Sequence, residues 1–232
     1  MSKFIMLTSC EEKQGKTVFS LITAKELSKE KKLLLVDLSN SEKDSSYYLN
    51  VKDMVIYDVV DLIKDTCSLE QAVIKIKEEE FEFDFLPAPR MKDKYKQLDL
   101  GHLKKIFMES NGNYDYIVID GTTVADDIKT ASYEIVDLVV MLTYNKVENI
   151  KCIFSSLNII SSDVKDIKLV INKTIEKEER KGNLLTTEEV EEILKVKVDG
   201  KIEFLPKLNS LEENFLNENN FKEVNRVIEK II

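Results

Sequence analysis

Seven short apolar segments, separated by stretches with helical periodicity, constrain the fold of this chain more than any other feature. Several are apolar almost without interruption, which is typical of strands in a parallel sheet that helices cover on both faces. Parallel strands of this kind are joined by right-handed crossovers. We therefore expect an α/β fold with a mostly parallel sheet. The predicted strands lie at 3–7, 32–37, 81–87, 114–120, 136–143, 167–172 and 200–206.

The length of 232 residues suits one α/β domain or two small ones. Because the sequence has no evident repeat, linker or low-complexity tract, we expect a single domain over residues 1–232. The run KIKEEEFEFD at 75–84 is locally acidic, and a solvated bend accounts for it.

Three segments have helical patterns, at 15–30, 184–195 and 221–232. In the second, a threonine cap precedes glutamates at the spacing of a capping box. The third mixes acidic and basic side chains on its polar face, which favours packing against the protein over a membrane surface. The apolar stripes predicted for the first two helices are Val18, Leu21, Ile22 and Leu27, and Val190, Ile193 and Leu194.

The formal net charge of -9 argues against nonspecific nucleic-acid binding, which needs an excess of clustered Lys and Arg. No apolar run approaches the length of a membrane span or of a signal-peptide core, so we expect a cytoplasmic protein. Cys10, Cys67 and Cys152 are odd in number and widely spaced, which predicts neither disulfides nor a zinc knuckle. The single histidine, His102, is expected to be structural, on a helix.

The segment TSCEEKQGKTVFS at 8–20 ends its loop with the Gly15-Lys16-Thr17 core of a phosphate-binding loop. Cys10 stands where the full pattern has its first glycine. A predicted strand precedes this loop and a predicted helix follows it, and Gly15 is the only glycine within the first 100 residues. This context favours nucleotide binding over the alternative of an ordinary strand-to-helix turn.

Each residue type in this motif has its own chemical role. Gly15 lets the backbone approach the ligand, and the helix-start amides up to Val18 face phosphate oxygens. Lys16 neutralises phosphate charge, and Thr17 is a ligand for Mg²⁺. These are the residues that we predict for binding ATP or ADP with Mg²⁺.

Two acidic residues follow predicted strands and belong to the same expected site. Asp120 closes YDYIVID, in the form of a Walker B carboxylate that reaches Mg²⁺. Asp37 closes KLLLVD. Since ligands of open parallel sheets lie beyond the carboxyl ends of the strands, both acids are expected to converge with the loop. Lys16, Asp37 and Asp120 are the predicted catalytic residues, and Thr17 and Asp120 the predicted metal ligands.

The chain resembles the MinD/ParA superfamily of P-loop ATPases, and its MinD branch in particular, nearly from end to end. The most specific segment is KGNLLTTEEVEEILKVKVDGKIEFLPKL at 181–208. The resemblance implies a P-loop NTPase-like fold and a contact between Asn172 and the adenine base. It also implies a homodimer that closes face to face around ATP. The other segments that carry it are LLLVDLS, FDFLPAPR, YDYIVID, VDLVVMLT and LVINK.

Several positions depart from the family pattern. Where the family loop has a lysine that reaches across the dimer, this chain has Glu11, whose carboxylate would repel a triphosphate by about 4 kcal/mol at contact distance before solvent relaxes. Lys13 is a candidate to replace that charge. Ser39 stands at the family's water-positioning acid, and serine substitutes poorly for a carboxylate. The segment after Asp120 reads GTTVADD, where Asp126 and Asp127 are better explained as an exposed acidic turn than as replacements.

Three functions remain open at this stage. The first is a cytoplasmic, MinD-like ATP-binding protein with slow or impaired hydrolysis that acts in spatial positioning through unknown protein partners. The second is a nucleotide-free scaffold that uses the fold as an interaction module. The third is a small-molecule kinase or tyrosine kinase on a related P-loop fold, which is disfavoured because the tyrosines are scattered and form no terminal cluster. The family's basic C-terminal membrane helix is not apparent before Ile232, so direct membrane binding is not expected.

Overall fold

A computed structural model describes residues 1–39, 44–95, 100–123, 135–160, 164–209, 211–217 and 221–232. Strands and helices alternate along most of the chain, as expected for an α/β protein. The strands are β1 (Lys3–Ser9), β2 (Leu33–Asp37), β3 (Ile74–Lys77), β4 (Glu82–Leu86), β5 (Tyr116–Thr123), β6 (Leu138–Thr143), β7 (Ile167–Thr174) and β8 (Val198–Glu203). The longer helices are α1 (Lys16–Ser28), α6 (Leu100–Ser110), α7 (Val147–Ile160), α9 (Thr187–Leu194) and α11 (Lys222–Ile231). The short helices are α2 (Ser45–Tyr48), α3 (Val59–Ile63), α4 (Leu69–Ala72), α5 (Lys92–Tyr95), α8 (Glu176–Arg180) and α10 (Pro206–Asn209).

The eight strands form one sheet in the order β3-β4-β2-β5-β1-β6-β7-β8. All neighbouring pairs are parallel except β3 with β4, which is antiparallel. The predicted α/β fold with a mostly parallel sheet is confirmed. β1 lies between β5 and β6, so the loop that follows β1 begins inside the sheet rather than at an edge.

Alternate residues of each strand enter separate hydrophobic cores on the two faces of the sheet. Along β1, Phe4 and Met6 pack into one core, while Ile5 and Leu7 pack into the other. The first core is completed by α3, α6, α7 and α9, and the second by α1 and α11. Burial on both faces explains why the strands are apolar without alternation. Burying one large aliphatic side chain stabilises the folded state by about 1.5–3 kcal/mol, and here side chains on both faces are buried.

Helix α1 is buried more widely than its sequence pattern predicts. Leu21 and Ile22 are fully buried as predicted, but Ser20, Thr23 and Lys25 are buried as well. The outer side of α1 is covered by α11 and by the 3-10 turn Phe215–Asn217. The prediction of a single apolar face on α1 was therefore incomplete. Later parts of the chain cover positions of the helix that were expected to face solvent.

The C-terminal helix α11 packs on the sheet, as its mixed-charge polar face predicts. Its buried side chains are Val224, Val227, Ile228 and Ile231. A Cβ atom on Gly200 of β8 would lie 2.4 Å from Cγ1 of Val227, so this glycine permits the close approach of α11 to the sheet.

Two smaller predictions are only partly right. The capping box of α9 is present between Thr186 and Glu189, and Val190 and Leu194 are buried, but Ile193 is exposed. The acidic run at 75–84 was predicted to be a solvated bend. Its first residues instead belong to β3, whose alternating burial was hidden because lysines occupy the exposed positions.

Candidate functional site

The phosphate-loop motif occupies residues 10–15, between the end of β1 and the start of α1. Gly15 caps α1 in a left-handed conformation, with φ of 94°. A Cβ atom there would lie 2.5 Å from Nδ2 of Asn172. The backbone angle therefore favours glycine at this position, and any Cβ atom would also have to displace the side-chain amide of Asn172.

Lys16 begins α1 and turns its side chain into the protein. Only 9% of the residue is exposed, and its ammonium donates a hydrogen bond to Oγ of Ser9 at 2.9 Å. Burial lowers the pKa of Lys16, while the nearby carboxylates of Asp120 and Glu12 oppose that change. A buried ammonium with one neutral hydrogen-bond partner can still gain from an anionic ligand.

The first turn of α1 supplies backbone amides to the same place. No side chain caps the start of the helix at Gly15. The amides of Lys16, Thr17 and Val18 belong to the first turn, where helix geometry offers no acceptor from within the helix. A helix start of this kind, on a helix of 13 residues, suits a phosphate group.

Asp37 and Asp120 are opposite each other on the adjacent parallel strands β2 and β5. Both residues are fully buried. Burial raises the pKa of each carboxyl group above its usual range, and the charge of Asp120 raises that of Asp37 further. Asp37 accepts hydrogen bonds from the amides of Ser39 at 2.7 Å and Ser45 at 3.0 Å. The predicted convergence of these two acids is present in the structure.

The carboxylate of Asp120 fits a metal-bound ligand better than a purely structural role. Neither of its oxygens makes a hydrogen bond of normal geometry to a described residue, although both are buried. The hydroxyls of Thr17 and Ser20 and the ammonium of Lys16 lie near it and hold its pKa down against the effect of burial. A hydroxyl beside an unsatisfied carboxylate is a donor set that Mg²⁺ accepts when phosphate oxygens and water complete it.

Side chains from the ends of β6 and β7 hold the carbonyl groups of the loop. Nδ2 of Asn172 donates to the Gln14 carbonyl at 2.9 Å, and the Tyr144 hydroxyl donates to the Lys13 carbonyl at 2.5 Å. Lys13 has a left-handed φ of 61°. Burial raises the pKa of Tyr144 to about 12, so its hydroxyl remains protonated and able to donate. These contacts stabilise a loop that has only one glycine.

The start of the loop is attached to α7 at two points. Nδ2 of Asn149 donates to the Glu11 carboxylate at 2.7 Å. One turn further along α7, Cys152 forms a disulfide with Cys10. The prediction that no cysteines pair was wrong, because β1 and β6 are neighbours in the sheet and bring together residues that are 142 positions apart. Cys67 is a buried free thiol.

The remaining polar residues considered for the site are Ser39, Asp44, Asp126, Asp127 and His102. Ser39 is buried next to Asp37. Asp44, which caps α2, raises the pKa of both Asp37 and Asp120 through its charge and was missed by the sequence analysis. Only its position three residues before Tyr47 marks it as a cap. Asp126 and Asp127 lie outside the described residues. His102 lies on α6, as predicted for a helix.

Within the described ranges, none of the helices combines the length and the apolar character needed to cross a bilayer.

No family model matches this chain. The septum site-determining protein MinD of Buchnera aphidicola subsp. Baizongia pistaciae is 27% identical over 213 residues, which cover 87% of this chain and 78% of that protein. MinD of Escherichia coli K12 is 25% identical over 212 residues, with 87% and 78% covered.

Solved structures of similar proteins share the fold over almost the whole chain. MinD of Aquifex aeolicus, in a MinC:MinD complex, has a TM-score of 0.84 at 22% identity and covers 99% of this chain and 94% of its own. MinD of Pyrococcus horikoshii, complexed with Mg-ADP, has a TM-score of 0.81 at 17% identity, covering 100% and 95%. A ParA family ATPase of Chlorobium tepidum has a TM-score of 0.81 at 17% identity, covering 98% and 96%.

Proposed function

Because the chain belongs to the MinD/ParA superfamily, on its MinD side, we propose that it binds ATP and ADP with Mg²⁺ at the loop between β1 and α1. We further propose that its hydrolysis of ATP is slow or impaired. The protein then acts in the cytoplasm, through protein partners, in placing a cellular structure such as the division site, a pilus, a flagellum or a plasmid.

One observation carries the binding proposal. The buried ammonium of Lys16 and the unsatisfied carboxylate of Asp120 lie next to each other at the open first turn of α1. Burying two polar groups without full hydrogen bonding costs about 1–3 kcal/mol each, so a chain that keeps both gains from a ligand that satisfies them. A phosphate group with Mg²⁺ satisfies the cation and the anion together.

In this proposal, different residues of the site bind the phosphates, the magnesium ion and the adenine base. Gly15 and the amides of the first turn of α1 receive phosphate oxygens, and Lys16 exchanges its bond to Ser9 for one to phosphate. Thr17 and Asp120 hold the magnesium ion, which neutralises the charge of the β- and γ-phosphates when bound. Asn172, already turned toward the loop, is the residue that we assign to the adenine side.

Two positions support slow hydrolysis. Ser39, at the family's water-positioning acid, has no carboxylate with which to accept a proton. Glu11 replaces the loop lysine, and its carboxylate is held on α7 by Asn149. Position 11 therefore lacks the family's cation, which would stabilise the charge developing on the phosphates during transfer.

The proposal that this protein acts through partners is supported by complexes of similar proteins. One similar structure is a complex between MinC and MinD, and another is a McdA–ATP complex. We propose a homodimer that forms across the nucleotide and a separate protein partner. The acidic net charge of -9 favours partners other than nucleic acid.

The test is calorimetric titration of the purified protein with Mg-ATP. Lys16→Ala should abolish binding, whereas Lys29→Ala, which removes an exposed lysine from the end of α1, should leave the affinity unchanged. Binding that survives Lys16→Ala would contradict the proposed site. A turnover rate equal to that of an intact family member would contradict impaired hydrolysis.

A second candidate function is a nucleotide-free scaffold, which the contacts of the loop's first half favour. Cys10 and Glu11 are both bonded to α7, so part of the loop is already occupied by protein groups. In this case neither Mg-ATP nor Mg-ADP would change the thermal stability of the wild type or of Lys16→Ala, and the surface of the fold would carry the function.

A further inference from the structure

The disulfide between Cys10 and Cys152 joins the phosphate loop to α7, the helix that follows the neighbouring strand β6. Their Cα atoms are 6.0 Å apart, within the usual range for a disulfide. Cys10 is the first residue after β1 and occupies the first glycine position of the motif. Cys152 lies on α7, three residues after Asn149. The covalent bond therefore acts on the residues that would shape the phosphate site.

Together with its neighbours, the disulfide fixes the start of the phosphate loop to α7. Glu11 is held on the same helix by Asn149, so residues 10 and 11 are both fixed to α7. The other end of the loop is continuous with α1 at Gly15. Between these ends, Lys13 and Gln14 are held only by hydrogen bonds to their carbonyls. The disulfide is the one covalent restraint on the loop besides the chain itself, within the residues that the structure describes.

We propose that Cys10 and Cys152 form a reversible disulfide that sets the affinity of the loop for Mg-nucleotide, the oxidised protein binding more tightly. This inference rests on the proposed nucleotide site. In the oxidised protein the start of the loop is already ordered, so less conformational freedom is lost when the ligand binds. In the reduced protein residue 10 loses its covalent attachment to α7, and the loop is held by the hydrogen bonds from Asn149, Tyr144 and Asn172.

The chemical step is thiol–disulfide exchange with a small disulfide such as glutathione disulfide. The thiolate of Cys152, the more exposed of the two cysteines, attacks one sulfur of glutathione disulfide and releases one glutathione thiolate. The thiolate of Cys10 then attacks the Cys152 sulfur of the mixed disulfide and displaces the second glutathione. Two protein thiols are oxidised to the disulfide and one glutathione disulfide is reduced to two thiols, which take up the two protons that the cysteines lose. A dithiol reductant reverses the reaction.

The chain supplies its own control cysteine. Cys67 is a free thiol outside the loop, and burial raises its pKa, with the nearby Asp61 and Asp58 adding to the rise. A high thiol pKa leaves little thiolate for exchange at neutral pH. Oxidation under mild conditions should therefore join Cys10 to Cys152 and leave Cys67 reduced.

The experiment compares wild-type protein kept in dithiothreitol with protein equilibrated in glutathione disulfide. Free thiols are counted by alkylation under denaturing conditions and mass spectrometry, and Mg-ATP affinity is measured by calorimetry on the same samples. We expect three free thiols in the reduced sample and one in the oxidised sample. The oxidised sample should bind Mg-ATP roughly fivefold to twentyfold more tightly.

Two variants assign the effect. Cys152→Ser, which leaves the loop sequence intact, should bind as weakly as the reduced wild type in both samples. Cys67→Ser should respond to oxidation as the wild type does. Three free thiols after oxidation would overturn the disulfide. One free thiol with equal or weaker affinity would overturn the redox control while leaving the nucleotide site standing. Absence of Lys16-dependent binding in both samples would remove the proposed function and this inference with it.

Discussion

Asp37 and Asp120 are paired across two parallel strands at the carboxyl end of the sheet, and both carboxyl groups are fully buried. Two buried acids in register repel each other when both are ionised. Without bound Mg²⁺, the charge of Lys16 offsets part of this repulsion, and protonation of one carboxyl group relieves the rest. The ligand-free protein is therefore expected to respond to pH at this point, and Mg²⁺ with nucleotide should remove that response.

The first prediction concerns stability against pH in the absence of metal. Burial and the charge of Asp120 raise the pKa of Asp37 to about 8 in the folded state, whereas an unfolded aspartate titrates near about 4. Between these values the folded state holds a proton that the unfolded state has lost, so the free energy of unfolding falls as pH rises, by up to about 1.4 kcal/mol per pH unit. Thermal unfolding in EDTA should show a higher melting temperature at pH 6 than at pH 8.

The control for this prediction is Asp37→Asn, which cannot ionise and should flatten the dependence between pH 6 and 8. Addition of Mg-ATP should flatten it as well. A melting temperature in EDTA that rises from pH 6 to pH 8 in the wild type would show that the pair is not protonated in the folded state.

The second prediction isolates the close approach at Gly15. Gly15→Ala should destabilise the fold by about 2–4 kcal/mol, because it adds a left-handed alanine and a contact of 2.5 Å with Asn172. Gly112→Ala is a matched control with φ of 84° and no atom within 4 Å of the added Cβ, so it carries the backbone cost alone. Chemical denaturation of both variants measures the difference, and equal losses would show that Asn172 moves aside freely.

The third prediction concerns the bond from Tyr144 to the loop. Tyr144→Phe removes the hydroxyl that donates to the Lys13 carbonyl, which should weaken Mg-ATP binding by roughly threefold to tenfold, as expected for about 1 kcal/mol of lost hydrogen bonding. Tyr114→Phe is the matched control. Tyr114 lies just before β5, at the end of the strand opposite Asp120, and its hydroxyl donates to Asp84 of β4. The control should lower stability and leave the affinity intact. Loss of affinity in both variants would point to a general effect on folding.

The fourth prediction tests the charge at Glu11. Glu11→Gln keeps the size of the side chain and an oxygen that can accept from Asn149, but it removes a negative charge beside the phosphate site. Mg-ATP should bind roughly twofold to tenfold more tightly at low salt, and the gain should shrink at high salt because the charge is exposed. Glu26→Gln on α1 provides a control away from the loop. An unchanged affinity at low salt would mean that Asn149 already holds the carboxylate clear of the ligand.

The sequence predicts the sheet and the loop well because these depend on local patterns. Continuous apolar runs identify the parallel strands, and Gly15, Lys16 and Thr17 follow directly from β1 into α1. The convergence of Asp37 and Asp120 near the loop follows from parallel strand ends meeting at one edge of the sheet, whereas their direct pairing depends on β2 and β5 being neighbours. The strands, the loop and this convergence can be inferred without knowing which strands are neighbours.

The features that the sequence did not predict depend on distant parts of the chain. Cys10 and Cys152 lie close together because β1 and β6 are adjacent, and the order of strands in a sheet cannot be inferred from local sequence patterns. Tyr144 and Asn149 reach the loop for the same reason. Asp44 was overlooked because a capping aspartate is common, and its electrostatic effect on Asp37 appears only when α2 is placed against the site.

The antiparallel strand β3 affects how this protein can associate with copies of itself. It forms one edge of the sheet, and its outward positions are Lys75 and Lys77. Lysines on an edge strand discourage a second sheet from adding there, since two such edges would repel. Growth of the sheet into an open-ended polymer at this edge is therefore disfavoured.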